Sequence, residues 1–243
     1  YVVGNFSGNG ISNVMKVDDN VTALPNGALN SEVQCMFQNG STLYMGGNFT
    51  NTAEGTVEGL NSIAAFDASA NAWSALGAGV DGPVFSIIPV ALNITRGVNE
   101  SCIAVSGAFT SVREFGDNKS SSASGLAIWV PSRGNWLQNI PDAEIAVSGK
   151  LISHTYVDDF GPLYGGSFSS QLVGLSGACE LEGSGQPSLE SMGLKIQPAS
   201  SSSSEMKKRA LNADTGSNAT GVYGGLFYGK NNLNITILGG SFS

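Results

Sequence analysis

The chain has 243 residues, 41% of them hydrophobic and only 12% charged, with 19 acidic against 11 basic side chains for a net charge of −8. A chain of this make-up can bury a substantial core, and an acidic balance with no clustered basic face argues against nucleic acid and anionic lipid as partners. Glycine, at 33 residues, recurs at strand ends and turns, which excludes a collagen-like fibre with its three-residue period.

The chain opens inside a strand pattern, Tyr1-Val-Val-Gly4-Asn5-Phe6-Ser7, and residues 1–25 predict the last three strands of a four-stranded unit. A complete unit follows over 33–76, with strands predicted at Val33 to Phe37, Thr42 to Phe49, Ser62 to Asp67 and Trp73 to Leu76. The next, 84–140, reads as Val84 to Val90, Cys102 to Phe109, Gly125 to Val130 and Trp136 to Ile140, with a polar insertion at 116–124 expected to be exposed and mobile. Weaker signals over 148–194 place strands at Leu151 to Tyr156, Leu163 to Phe168, Gly177 to Leu181 and Leu189 to Met192. A serine-rich loop at 198–218, carrying Lys207-Lys208-Arg209, is expected to be flexible, and 221–243 predicts two strands of a further unit.

These units share a signature. A β-prone run ends in a small residue followed by Phe and a hydroxyl residue, at Phe6-Ser7, Gly46-Gly47-Asn48-Phe49-Thr50, Gly107-Ala108-Phe109-Thr110, Gly165-Gly166-Ser167-Phe168-Ser169 and Gly239-Gly240-Ser241-Phe242-Ser243. The Phe positions are 43, 60, 59 and 74 residues apart, too irregular for a tight solenoid but natural for propeller blades with variable loops. A second interval follows: Phe66 to Trp73 and Trp129 to Trp136 are seven residues apart, Val17 to Leu24 keeps that spacing, and Leu181 to Leu189 stretches it by one. Four strands per unit and the absence of any long amphipathic pattern predict an all-β chain, a kelch-like β-propeller domain over 1–243 cut from a larger repeat protein. Glycines 46, 47, 107, 165, 166, 239 and 240, with Phe49, Phe109, Phe168, Phe242, Trp73 and Trp136, read as its structural positions.

Nine N-x-[ST] sequons, at Asn5, Asn20, Asn39, Asn48, Asn93, Asn99, Asn118, Asn218 and Asn234, are about twice the number chance would give and point to the secretory pathway. Cys35, Cys102 and Cys179 match no metal or redox spacing; either two of them pair in an oxidising compartment or all are buried apolar side chains. The longest apolar stretch, Val84 to Leu92, is too short to cross a bilayer and holds Pro89. Catalytic chemistry finds little support. His154 is the one histidine, and Ser153 beside it points to the opposite strand face. Asp67, Asp81, Asp142, Asp158 and Asp159 stand near strand ends without a pair brought together, and Asp158-Asp159 lacks the spacing of a calcium loop. No catalytic residue, cofactor or metal is expected.

The stretches Leu43-Tyr-Met-Gly-Gly-Asn-Phe-Thr50, Leu60-Asn-Ser-Ile-Ala-Ala-Phe-Asp67, Trp73-Ser-Ala-Leu-Gly77 and Gly79-Val-Asp-Gly-Pro-Val84 closely resemble the ectodomain of the fungal Rax-type cortical polarity-marker family, the bud-site-selection membrane proteins. The likeness is best over residues 40–140. It implies a large N-glycosylated extracytoplasmic repeat region, anchored by a transmembrane helix elsewhere in the parent chain, on the outer side of the plasma membrane at growth tips, buds or division sites. It further implies a membrane or cell-surface protein partner in a polarity complex, and scaffold positions with no catalytic residue. A non-enzymatic surface scaffold binding a protein or cell-wall glycan is therefore the preferred reading; a secreted propeller glycoside hydrolase or lectin is the rival.

Overall fold

The computed structural model describes residues 1–95, 98–141, 147–157, 161–170, 179–182, 188–191, 221–230 and 233–241, and their side chains over 1–92, at 94 and over 100–141. Every described strand pair is antiparallel, and no α-helix occurs among the described residues. The chain divides into two compact units, Tyr1–Glu144 and Ile145–Ser243.

The first unit begins with a three-stranded sheet, β1 (Val2–Gly8), β2 (Ile11–Val17) and β3 (Val21–Ala23), in that order. A four-stranded meander follows: β4 (Val33–Asn39), β5 (Thr42–Gly47), β6 (Ile63–Asp67) and β7 (Ala72–Ala75). The third sheet uses β8 (Val84–Thr95) and β9 (Val98–Gly107). After a small hairpin, β10 (Ser111–Val112) and β11 (Ser121–Ser122), it is completed by β12 (Leu126–Val130) and β13 (Asn135–Trp136). Pro89 sits within β8, the edge strand, where a residue without an N–H is tolerated. The second unit has a meander, β14 (Val147–Val157), β15 (Gly161–Ser170), β16 (Cys179–Glu182) and β17 (Ser188–Ser191), and a two-stranded sheet, β18 (Gly221–Lys230) and β19 (Leu233–Ser241). The described sheets establish an all-β, antiparallel architecture with four-stranded meanders in both units.

Several local expectations shift. The hairpin β8–β9 runs further than its apolar core, through the register pair Asn93↔Asn99. The last strand of the third sheet stops at Trp136, and Leu137–Asn139 form a 3-10 turn. The polar insertion at 116–124 is partly ordered: Val112 pairs with Ser121, Phe115 bridges Asn118, and the Ser120 hydroxyl donates to the Val112 carbonyl at 2.9 Å. The loop at 198–218 lies outside the described residues.

Sheet stacking follows the period-2 alternation of strands that bury both faces. On the second sheet, Leu43, Met45, Ala64, Phe66 and Trp73 face backward into a cluster with Val14, Leu24 and Leu29; Tyr1 meets Phe66 edge-on, ring centroids 6.1 Å apart. Their neighbours Tyr44, Ile63 and Ala65 face forward into a second cluster with Ile103, Val105, Ala127, Trp129 and Trp136 of the third sheet. The long-range Trp spacing is a cross-strand pair: Phe66 lies opposite Trp73 with centroids 4.9 Å apart, Trp129 opposite Trp136 at 5.1 Å, and Leu181 opposite Leu189 in backbone register. In the first sheet the partner of Val17 is Val21, not Leu24. The turn at 18–20 is shorter there, which moves Leu24 past the strand into the core.

The glycine pairs have a counterpart that the strand pattern hides. In four hairpins the first strand carries one extra residue opposite the repeat's small-residue pair. The flanking registers are Val33↔Gly47 and Cys35↔Gly46, Val84↔Gly107 and Ser86↔Ser106, Leu151↔Gly166 and Ser153↔Gly165, and Val222↔Gly240 and Gly224↔Gly239. Such a bulge raises local twist and drives the strand's backbone towards its partner. Asn48 and Ala108 each donate a backbone hydrogen bond across it, to the carbonyls of Glu32 (3.0 Å) and Pro83 (2.9 Å). A Cβ on Gly47 would overlap the Glu32 carbonyl oxygen, one on Gly107 the Pro83 carbonyl oxygen, and one on Gly46 the Val84 side chain of the third sheet. Side chains at 165, 166, 168, 239, 240 and 242 lie outside the described residues.

Gly47→Ala should therefore cost about 1–3 kcal/mol by overpacking against backbone that cannot swing away. Gly8→Ala, where an added Cβ meets nothing within 4 Å, should change stability little. Thermal unfolding of the two variants checks the difference; equal melting temperatures would contradict the close approach.

Candidate functional site

An open groove of about 600 Å³ lies where β1 and the turn into β2 meet the segment leading into β4. Asn5, Ser7, Ser12, Asn30, Ser31 and Glu32 supply its polar wall. Asn13 fixes its floor. At φ 60° this residue sits in the left-handed region that asparagine tolerates, and its side chain is buried. Its Oδ1 accepts from the Phe6 N–H at 3.2 Å, and its Nδ2 donates to the Leu29 carbonyl at 2.9 Å, which ties the first sheet to the approach of the second.

Asn30 builds the neighbouring wall through the repeat's hydroxyl residue. Its Oδ1 accepts from the backbone N–H groups of Thr50 (3.0 Å) and Asn51 (3.3 Å), while its Nδ2 donates to Thr50 Oγ1 at 3.0 Å. Asp81 does the same one repeat later. Its Oδ1 accepts from the N–H groups of Thr110 (2.7 Å) and Ser111 (2.9 Å), and its Oδ2 from their hydroxyls at 2.6 and 3.0 Å. Asn30 and Asp81 each precede by three residues the valine that opens the bulged strand, Val33 or Val84. That spacing is legible in the sequence, but a turn signal at Asp81-Gly82-Pro83 masks it. Phe49 and Phe109, fixed by these clamps, are buried in the two clusters between sheets.

The groove offers amide and hydroxyl groups, the side chains of Phe6 and Ala53, and one carboxylate, Glu32. Glycoside hydrolysis needs two converging carboxylates, and the other described candidates are occupied elsewhere. Asp67 caps its own turn, accepting from the N–H groups of Ser69 (2.8 Å) and Ala70 (3.1 Å); the Ala70 bond, then that of Ser69, lowers its pKa. Burial pushes the Asp81 carboxyl up, but the bonds from Thr110 and Ser111 outweigh it and hold its pKa at about 2. Glu100, buried in β9, is held by two Arg133 nitrogens, Nε at 3.1 Å and Nη2 at 2.7 Å, and by the Ser132 hydroxyl; the Arg133 hydrogen bonds lower its pKa. Asp142, Asp158 and Asp159 lie outside the described side chains, and His154 is placed only by its backbone, opposite Tyr164. Among the described residues no three potential metal ligands converge, and no helix is long and apolar enough to cross a membrane.

Cys35 and Cys102 are free thiols, each pushed up to about 12, by burial for Cys35 and by burial and then Glu100 for Cys102. A thiol so protonated is a poor nucleophile and behaves as an apolar side chain. The Cys179 side chain lies outside the described residues. Of the sequons, Asn5, Asn20, Asn39 and Asn48 are exposed and Asn118 is half-buried, accepting from Asn135 Nδ2 at 3.3 Å. The side chains of Asn93, Asn99, Asn218 and Asn234 lie outside the described residues.

Comparison with known proteins bears on what this arrangement serves. The sequence is 43% identical over 250 residues to polarized growth protein L1 of a Phoma species, a match that covers all of the chain and 19% of that relative. It is 34% identical over 172 residues to polarized growth protein rax2 of Schizosaccharomyces pombe, covering 70% of the chain and 14% of that relative. The chain thus spans less than a fifth of the length of either. No family model and no solved structure matches it.

The Asp81 clamp carries a pH signature. Its folded pKa near 2 lies below the ordinary carboxylate value near 4, so its contribution is complete above about pH 4 and fades as the pH falls towards about 2. Asp81→Ala should destabilise by about 1 kcal/mol at pH 6. Asp81→Asn, which imitates Asn30, should stay near wild type at pH 6 and lose the Asp81 share of the acid-induced drop. Melting temperatures of the three proteins between pH 6 and pH 2.5 check this; an Asp81→Asn protein with an undiminished acid slope would contradict it.

Proposed function

From the premise that this sequence belongs to the fungal Rax-type polarity family, its match running the length of the chain, we propose that it is a non-catalytic extracytoplasmic scaffold within a membrane-anchored polarity landmark. Its role in cell polarity rests on relatives named for polarized growth. The finer reading takes the sheets as blades of one propeller-like domain, made in the secretory pathway and glycosylated at exposed sequons. The scaffold stands on the outer face of the plasma membrane at growth tips, buds or division sites, and takes part there in a polarity complex with a membrane or surface protein.

The observation that carries the scaffold reading is the polar groove with its single carboxylate, Glu32. Amides, hydroxyls and one acid suit a ligand rich in hydrogen bonds, a peptide loop or a wall glycan, and furnish no acid–base pair. The rival, a secreted propeller hydrolase or lectin, needs a second carboxylate or, for a lectin, a sugar stacked on the one aromatic side chain that lines the groove, Phe6.

A fluorescent tag on the full-length gene product, followed in dividing fungal cells, tests the proposal. Stable signal at tips, septa or division scars, with displaced growth sites after deletion, is the expected result. Release of the tagged protein into the medium, with growth sites unchanged in the deletion strain, would overturn it and favour the secreted rival.

A further inference from the structure

The large hydrophobic side chains exposed on the described surface are Val2 (41%), Val17 (47%) and Val21 (53%), and all three share one face of the first sheet. Register fixes this. Val2 lies opposite Met15, Met15 opposite Ala23 and Val17 opposite Val21, and cross-strand partners point to the same side. The other side of the same sheet, carrying Tyr1, Val3 and Val14, is packed into the cluster against Phe66 and Trp73.

The repeat shows what such a face does elsewhere in the chain. Val3↔Val14 corresponds to Gly46↔Ile63, so Val2, Met15, Val17 and Val21 occupy the positions of Met45, Ala64, Phe66 and Trp73 in the second sheet. In the third sheet the same positions hold Val105, Ala127, Trp129 and Trp136. In both of those sheets this backward face is buried, because the forward face of the preceding sheet lies on it. In the first sheet it is open. The contrast with the two buried faces, more than the size of the patch, marks it as a surface that a neighbouring sheet would cover.

We propose that this face is an inter-repeat interface whose occupant is the forward face of another sheet of the same repeat, a surface built like Tyr44, Ile63 and Ala65, carried on the same longer polypeptide. Two observations select that occupant. The face continues an interface already formed twice in the first unit, in the same register. The relatives extend to more than five times the length this chain matches, ample for further sheets. The inference is independent of what the groove binds.

Cysteine reactivity reads it directly. Val17→Cys and Val21→Cys are placed singly in the full-length gene product and in the chain of residues 1–243, with the exposed Ser74→Cys as control, and the rate of maleimide labelling is measured in the native protein. The expected result is at least tenfold slower labelling at positions 17 and 21 in the full-length product than in the shorter chain, with Ser74→Cys unchanged. Equal rates in the two proteins would overturn the proposal. Slow labelling in the shorter chain that speeds up on dilution would also overturn it, by showing that a second copy occupies the face. Circular dichroism of each variant confirms that the sheet persists, and a conservative Val17→Thr protein should show the wild-type melting temperature within a few degrees in the shorter chain.

Discussion

The structure turns on the close approach of backbone to backbone at one end of four hairpins, where a bulge on one strand meets a small-residue pair on the next. Gly46 and Gly47 have no Cβ because there is no space for one: Val84 of the following sheet occupies one position and the Glu32 carbonyl the other. From this contact follow the approach of the second and third sheets, the direction of Phe49, and the hydrogen bonds from Asn48 to Glu32 and from Thr50 to Asn30. The same bulge recurs in the second unit at Leu151/Ser153 and Val222/Gly224, so the device belongs to the repeat and not to one hairpin.

Strand order was largely readable from the residues, because alternation and turn chemistry are local. The pairs Phe66–Trp73 and Trp129–Trp136 stand out since two large aromatics at hairpin spacing have few other reasons to recur. The bulges were not readable: Gln34 and Phe85 look like ordinary strand residues, and only the partner strand shows that each is extra. Val17–Leu24 misled for a related reason, because the spacing of a cross-strand pair depends on turn length, and the 18–20 turn is shorter than the one at 68–71. The groove, too, escaped the sequence, since its wall joins Asn5 and Ser12 to Asn30 and Glu32 through the buried, left-handed Asn13, a contact of long sequence range.

The hydroxyl in the repeat has a physical meaning that composition alone conceals. Thr50 and Thr110 each present a backbone N–H and a hydroxyl to one side chain; the Thr50 hydroxyl oxygen accepts from the Asn30 amide and the Thr110 hydroxyl donates to the Asp81 carboxylate, so the two repeats solve one loop-fixing problem with isosteric groups. A repeat held together this way leaves its loops free to diverge, and the polar groove lies among such loops. That division of labour suits the scaffold proposed above, in which the stack would supply rigidity and the loops recognition.

The interlock between sheets is tested most directly by a double-mutant cycle at Gly46 and Val84. Gly46→Ala places a methyl against Val84 and the Cys35 sulfur; Val84→Ala alone leaves a small cavity. If the two sheets interleave here, the double variant should be more stable than the sum of the single losses predicts, with a coupling of about 0.5–3 kcal/mol in unfolding free energy. Strict additivity of the two substitutions would contradict the account.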